Sequence, residues 1–140
     1  MSAPLRLDHT SIFVPESKLD DVVKFLLASL GHMGFKEFMR PYPRLVGLGH
    51  QTAFFWIGAL PPEDVDEKTV EAIAKANHIA FSATDDAQVD EWYKAAMEAG
   101  GIDNGKPGIR EVYHKNYYAA FVRDPFLGIG WEVVNHASGL

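Results

Sequence analysis

Leu7-Asp8-His9-Thr10-Ser11-Ile12-Phe13-Val14 and Asn77-His78-Ile79-Ala80-Phe81-Ser82-Ala83 are the stretches on which the reading of this chain turns. Each alternates apolar with polar or small residues, the period of a half-buried strand. Pro15 ends the first, because it has no N–H to give to a ladder. Setting His9 on His78, an offset of 69 residues, opens an internal repeat. Ser17 offers an N-cap to a helix carrying Leu19, Val22, Val23, Leu26, Leu27 and Leu30, which Gly31 and Gly34 stop. Asp85 or Asp86 offers one to a helix carrying Val89, Trp92, Tyr93, Ala96 and Met97, which Gly100-Gly101 stop. One further residue of slide sets Asp20 on Asp90, Lys24 on Lys94 and Gly31 on Gly101.

Outward from these anchors, Phe35 to Met39, Leu45 to Leu48 and Thr52 to Ile57 read as short strands. Pro61-Pro62 is a break, and Glu63 to Lys75 reads as a linker containing a short helix, acidic early and basic late. Gly105 to Gly108 reads as a loop. Tyr117 to Arg123 reads as a strand, Asp124 to Gly128 as a turn, and Ile129 to Asn135 as the last strand. The pattern predicts an α+β fold of two βαβββ modules in tandem. The first spans about 5–58, a linker about 59–76, and the second about 77–136, all within one domain. Two such sheets placed together are expected to curve around a small-molecule cleft.

The chain has 140 residues, 47% of them hydrophobic, enough to fill one core. A net charge of −6 without basic clusters argues against nucleic acid and anionic lipid as partners. The absence of cysteine excludes disulfides, thiolate metal sites and cysteine nucleophiles. No signal-type apolar core opens the chain, and no apolar run approaches the roughly 20 residues that span a bilayer. A cytoplasmic protein is expected.

Strand alternation puts His9, Ser11 and Phe13 on one face, and Thr10, Ile12 and Val14 on the other. In the repeat His78, Ala80 and Ser82 oppose Ile79, Phe81 and Ala83. The more apolar face should meet the helix, so both histidines look into the cleft beside small residues. Glu132 lies between Trp131 and Val133, where a carboxylate needs a partner. His9, His78 and Glu132 together make a three-ligand site with open positions, suited to Fe(II), Mn(II), Zn(II) or Ni(II). A single strand histidine is more often a hydrogen-bonded core residue; the repeated pair with Glu132 tips the balance to a metal.

Secondary candidates surround this set. His114 and Tyr117 could handle protons near the cleft mouth, although a solvated loop is the ordinary reading of His114. Only one of Tyr117 and Tyr118 can face the cleft. Trp56 reads first as a core aromatic, and otherwise as filler for a fourth ligand's place. His136 shares the strand parity of Glu132, but a fraying terminus is its ordinary reading. Arg40, Arg44 and His50 could hold an anionic substrate, but they sit in loops, where such residues are usually solvated.

Leu7 to Ile12, Asn77 to Phe81, Tyr113 to Pro125 and Gly130-Trp131-Glu132-Val133-Val134 resemble the strands of the vicinal-oxygen-chelate superfamily, the glyoxalase/bleomycin-resistance/dioxygenase-like proteins. The resemblance spans nearly all of the chain except Pro61 to Ala76. It implies a divalent metal in the cleft, held at His9, His78 and Glu132, with substrate oxygens completing its coordination. The family's fourth ligand has no match in Gln51 to Ile57, which puts glyoxalase I activity in doubt. Extradiol dioxygenases use two His and one Glu. The turn also departs from the family's Asp-Pro-Asp-Gly form, with Phe126-Leu127 as a larger apolar turn facing a ligand or a second subunit. Such modules often dimerise, so a homodimer is expected. The function implied is a metal-dependent enzyme on a small oxygenated substrate, of dioxygenase, isomerase or lyase type. The alternative is a metal-independent protein that sequesters small molecules such as drugs.

Overall fold

The computed structural model describes residues 5–136. Its elements are β1 (Thr10–Pro15), α1 (Leu19–Leu30), β2 (Lys36–Tyr42), β3 (Leu45–Gly49), β4 (Ala53–Leu60), α2 (Glu67–Ala76), β5 (His78–Ser82), α3 (Asp86–Glu98), β6 (Ile102–Ile109), β7 (Tyr118–Arg123) and β8 (Gly130–Asn135). One sheet has the order β1-β4-β3-β2 and the other β5-β8-β7-β6. In each, the first and last strands pair in parallel and the remaining pairs are antiparallel. The two βαβββ modules are therefore present, with α2 inserted between them.

The apolar stripe of each helix accounts for its placement. α1 buries Leu19, Val22, Val23, Phe25, Leu26 and Leu30, and α3 buries Val89, Trp92 and Ala96. Ser17 does not cap α1. It lies in a 3₁₀ turn, Glu16–Lys18, and the helix starts without a side-chain cap. Asp85 does cap α3, accepting from the backbone N–H of Gln88, while Gln88 Oε1 accepts from that of Thr84. Asp66 caps α2 in the same way through Thr69. The first strand begins at Thr10 rather than Leu7, so His9 lies just before it.

The stretch read as a loop at Gly105 to Gly108 belongs to strand β6. β6 is an edge strand, where Pro107 costs no interior ladder bond, and its pairing with β7 is irregular on both sides of Gly105. Gly105 has a φ of 153°, and a Cβ there would stand 2.8 Å from the Phe121 ring. The strand needs glycine at that point, and the same glycine gives it a loop's composition.

The modules meet back to back. Helices α1 and α3 pack on one another, and Phe35, Phe55, Phe81 and Trp131 join the two halves, with Phe35–Phe81 ring centroids 5.5 Å apart and Phe55–Trp131 5.9 Å apart. Each helix covers one face of its own sheet, so the other two faces turn outward. Among the described residues, the expected cleft between the two sheets of a single chain is therefore not formed. On the outward face of the first sheet Phe13 is 62% exposed, and Met39 and Tyr42 are exposed beside it. No described helix is long and apolar enough to cross a membrane.

Candidate functional site

The outward face of the second sheet carries the site. Along β8, Trp131 and Val133 enter the core, which turns Glu132 the other way. The register sets Glu132 between Ala80 of β5 and Phe121 of β7, and His78 opposite Gly130. A Cβ on Gly130 would stand 3.1 Å from the Asn77 carbonyl oxygen, tighter than an ordinary contact, and 3.4 Å from His78 Nδ1. Glu132 is only 3% exposed. Burying a carboxylate is costly unless it is partnered. His78 Nε2 lies 2.7 Å from Oε1, and the Tyr117 hydroxyl donates to Oε2 at 2.5 Å. Among the described residues no buried side-chain N or O atom lacks a hydrogen-bond partner. Phe121 flanks His78, with ring centroids 5.9 Å apart, and the Arg110 guanidinium lies over the Phe121 ring at 5.3 Å from its centroid.

His9 is not in this group. It stands on the first module, its side chain 58% exposed, with Nδ1 2.6 Å from Asp8 Oδ2. Among the described residues, no three His, Cys, Asp or Glu side chains gather at a point that could hold a metal. Within one chain the structure therefore joins His78 and Glu132 and leaves His9 apart. The physical reason is the back-to-back seating of the modules. It preserves the predicted strand phase of both histidines and sends their faces in different directions.

The repeat also accounts for the missing fourth ligand. Ser11 pairs with Trp56 as Ala80 pairs with Glu132, so Trp56 occupies the position of Glu132 in the first module. It is a half-buried side chain on the open face, not a core aromatic. Its indole lies over Gly47, where a Cβ would be 2.7 Å from the ring.

His114 is neither solvated nor turned to Glu132. Its Nε2 lies 2.8 Å from His136 Nδ1, and its Nδ1 accepts from the backbone N–H of Asn116 at 3.3 Å. The partnership ties down His136, whose place at the end of the last strand suggested fraying. Tyr118 points away from Tyr117 and donates to Asp90 at 2.6 Å. Arg40 pairs with Glu37 and Asp20, and Arg44 with Glu16. His50 packs over Gly34 and lines a cavity of about 540 Å³ with Phe35, Phe54, Phe81 and Gln88. None of these three joins His78 and Glu132. Phe121 and Arg110 belong to the surroundings of His78 and were not legible as such. Only the β6–β7 register brings them there.

Burial, then the hydrogen bond to Glu132, pushes the Tyr117 phenol well above the ordinary tyrosine range. The hydrogen bond to Asp90, with burial second, pushes Tyr118 up to about 12. Both phenols are neutral hydrogen-bond donors at neutral pH. A raised phenol favours the fold below the unfolded value of about 10, and that contribution fades as pH rises through the folded value. Alkaline titration followed by phenolate absorbance is expected to show a late phase, to which Tyr117 and Tyr118 contribute. Tyr117→Phe and Tyr118→Phe should each remove part of the late phase.

No protein-family model and no curated protein matches the chain. Solved structures do. A glyoxalase/bleomycin resistance protein from Albidiferax ferrireducens T118 is 23% identical with a TM-score of 0.68, over 91% of this chain and 97% of that one. A lactoylglutathione lyase from Agrobacterium tumefaciens is 20% identical with a TM-score of 0.66, over 96% of both chains. The fosfomycin resistance protein FosX from Mesorhizobium loti is 18% identical with a TM-score of 0.58, over 96% and 93%. At these identities the likeness is one of fold. The chain has the tandem-module fold of the glyoxalase/bleomycin resistance proteins, and the resemblance read from its strands is borne out at that level.

Proposed function

We propose that this protein is a divalent-metal-dependent enzyme acting on a small oxygenated organic molecule, with each site formed between two copies of the chain. The observation that carries the reading is Glu132, 3% exposed on an outward sheet face and 2.7 Å from His78. An imidazole nitrogen and a carboxylate oxygen so placed are close to the roughly 3 Å that separates neighbouring ligands of one ion. The donor set fits Fe(II), Zn(II), Mn(II) or Ni(II). The third donor is His9 of a second copy. An isologous twofold lays the first sheet of each copy on the second sheet of the other and makes two identical sites. It also covers Phe13, Met39 and Tyr42, an apolar face that a monomer leaves in water.

The ion supplies Lewis acidity toward a substrate oxygen, in an oxygenation, isomerisation or lyase reaction. The side chains do the rest. Tyr117, neutral and donating, fixes the orientation of Glu132 and holds Oε1 toward His78. His114 sets the tautomer of His136. With Nδ1 accepting from Asn116, His114 carries its proton on Nε2 and donates that N–H to His136 Nδ1. Tyr117→Phe is expected to weaken metal binding about tenfold and to cost roughly 1–2 kcal/mol of stability, measured by calorimetry and urea unfolding.

Metal analysis with light scattering tests the reading. A mass twice 15.5 kDa is expected, with one ion per chain that Glu132→Gln loses while remaining a dimer. A dimer that takes up none of Fe(II), Zn(II), Mn(II) or Ni(II) under anaerobic titration transfers the assignment to a metal-free binding protein. Trp56, in the place of a fourth carboxylate, favours that second reading. A monomer at working concentration overturns the site between copies.

A further inference from the structure

We infer that the seam between the two modules holds a small-molecule site that needs no metal, and that its ligand is an uncharged aromatic molecule bearing a hydrogen-bond acceptor, such as an aryl ketone. A cavity of about 540 Å³ lies there. Phe35, His50 and Phe54 come to it from the first module, and Phe81, Ser82 and Gln88 from the second. Neither His78, Glu132 nor Tyr117 lines it, although Ala80, the strand partner of Glu132, does. Ser82 stands at the other end of β5 from His78, about 13 Å along the strand, so the cavity extends away from that pair.

The walls select for an aromatic ring. Phe35–Phe54, Phe35–Phe81 and Phe54–Phe81 lie 6.1, 5.5 and 6.4 Å apart between centroids, all edge-on. Rings set in this way do not stack on one another, and they leave faces and edges for the contacts that a further ring prefers. Leu30 and Met33 complete the apolar lining. A cavity of about 150 Å³ already holds benzene, so there is room here for a two-ring molecule. The polar groups select for an acceptor. Gln88 Oε1 is held by the Thr84 N–H at 2.8 Å, which leaves the Gln88 NH₂ group a donor with no partner among the described residues. His50 has no hydrogen-bond partner among them either, and Gly34 seats it: a Cβ at that glycine, whose φ is 85°, would collide with the imidazole. No Lys, Arg, Asp or Glu is among the described residues that line the cavity. A charged ligand would enter without a counter-charge, at a desolvation cost that a neutral one escapes.

The test uses acetylnaphthalene as probe on the metal-free full chain, by calorimetry at mildly alkaline pH, where imidazoles are ordinarily uncharged. One molecule per chain is expected to bind. Naphthoate, with the same rings and a carboxylate, should bind about tenfold more weakly or worse. Ser82→Phe, from an exposed strand position, fills the cavity and should weaken binding by about tenfold or more. Gln88→Glu keeps an oxygen for the Thr84 N–H and replaces the NH₂ donor with an acceptor, at a cost of about tenfold. Glu132→Gln should bind the probe as the wild type does, whether or not the protein takes up a metal. This arm separates the inference from the proposed enzyme site. The inference is overturned if the wild type binds no probe, or if Ser82→Phe and Gln88→Glu, folded by circular dichroism, both bind it as the wild type does. It is equally overturned if naphthoate binds as tightly as the ketone, or if Glu132→Gln abolishes binding.

Discussion

Asp124→Ala is expected to cost the fold roughly 3–5 kcal/mol, the largest loss from any single side chain here. Asp124 is fully buried, and its two oxygens accept five hydrogen bonds. Oδ1 takes the backbone N–H groups of Phe126, Leu127 and Gly128, at 3.0, 2.7 and 3.3 Å. Oδ2 takes that of Ile129 and the Trp131 indole N–H, both at 3.0 Å. Alanine takes the side-chain acceptor from all five, leaving Gly128 only the Asp124 backbone carbonyl, and an unsatisfied buried group carries its full desolvation cost. Asparagine keeps one oxygen and turns an NH₂ group on the other donors, so Asp124→Asn should fall between. A domain of this size is stable by about 5–15 kcal/mol, so Asp124→Ala should lower the urea midpoint markedly with little change in slope. A loss under about 1 kcal/mol would mean that the turn does not depend on this carboxylate. The consequence reaches the site, because the turn delivers Gly130 opposite His78 and Glu132 opposite Ala80.

The residues differ in how legible they were, and the difference follows range. The phase of β1 and β5 depends only on alternation, and the structure keeps it: Val14 is buried while Phe13 lies exposed over Gly58. Asp85 was legible as a cap because the motif is local, whereas Ser17 fell inside a 3₁₀ turn that resembles a cap in sequence. β6 was hidden because Gly105, Pro107 and Gly108 are loop residues used on an irregular edge. The equivalence of Trp56 and Glu132 needed the strand register, which sequence spacing does not fix. The separation of His9 from His78 was beyond any local signal. It depends on which faces of the two modules meet, and both candidate arrangements bury strands of the same pattern. His114 and His136 show the same limit in small: parity placed His136 on the face of Glu132, but only the path of the β6–β7 connection brought His114 to it.

Mixing two metal-free variants should restore metal binding if each site is shared between copies. His9→Ala removes the donor of one copy, and Glu132→Gln removes the donor of the other, so each variant alone is expected to form dimers with no intact site. Co-refolded in equal amounts, half of the dimers pair one variant with the other. In such a dimer one site carries both substitutions and the other carries neither. One intact site in half of the dimers amounts to about one quarter of the wild-type metal content, a count that follows from twofold symmetry alone. The control is His78→Ala mixed with Glu132→Gln. His78 and Glu132 lie on the same chain 2.7 Å apart, so each site of a mixed dimer loses one of them and no recovery is expected. Metal content per chain reads both mixtures without a known substrate. Recovery confined to the first mixture places His9 across the interface. No recovery in either, with dimers intact by light scattering, leaves His9 outside the site and His78 and Glu132 as a pair without it.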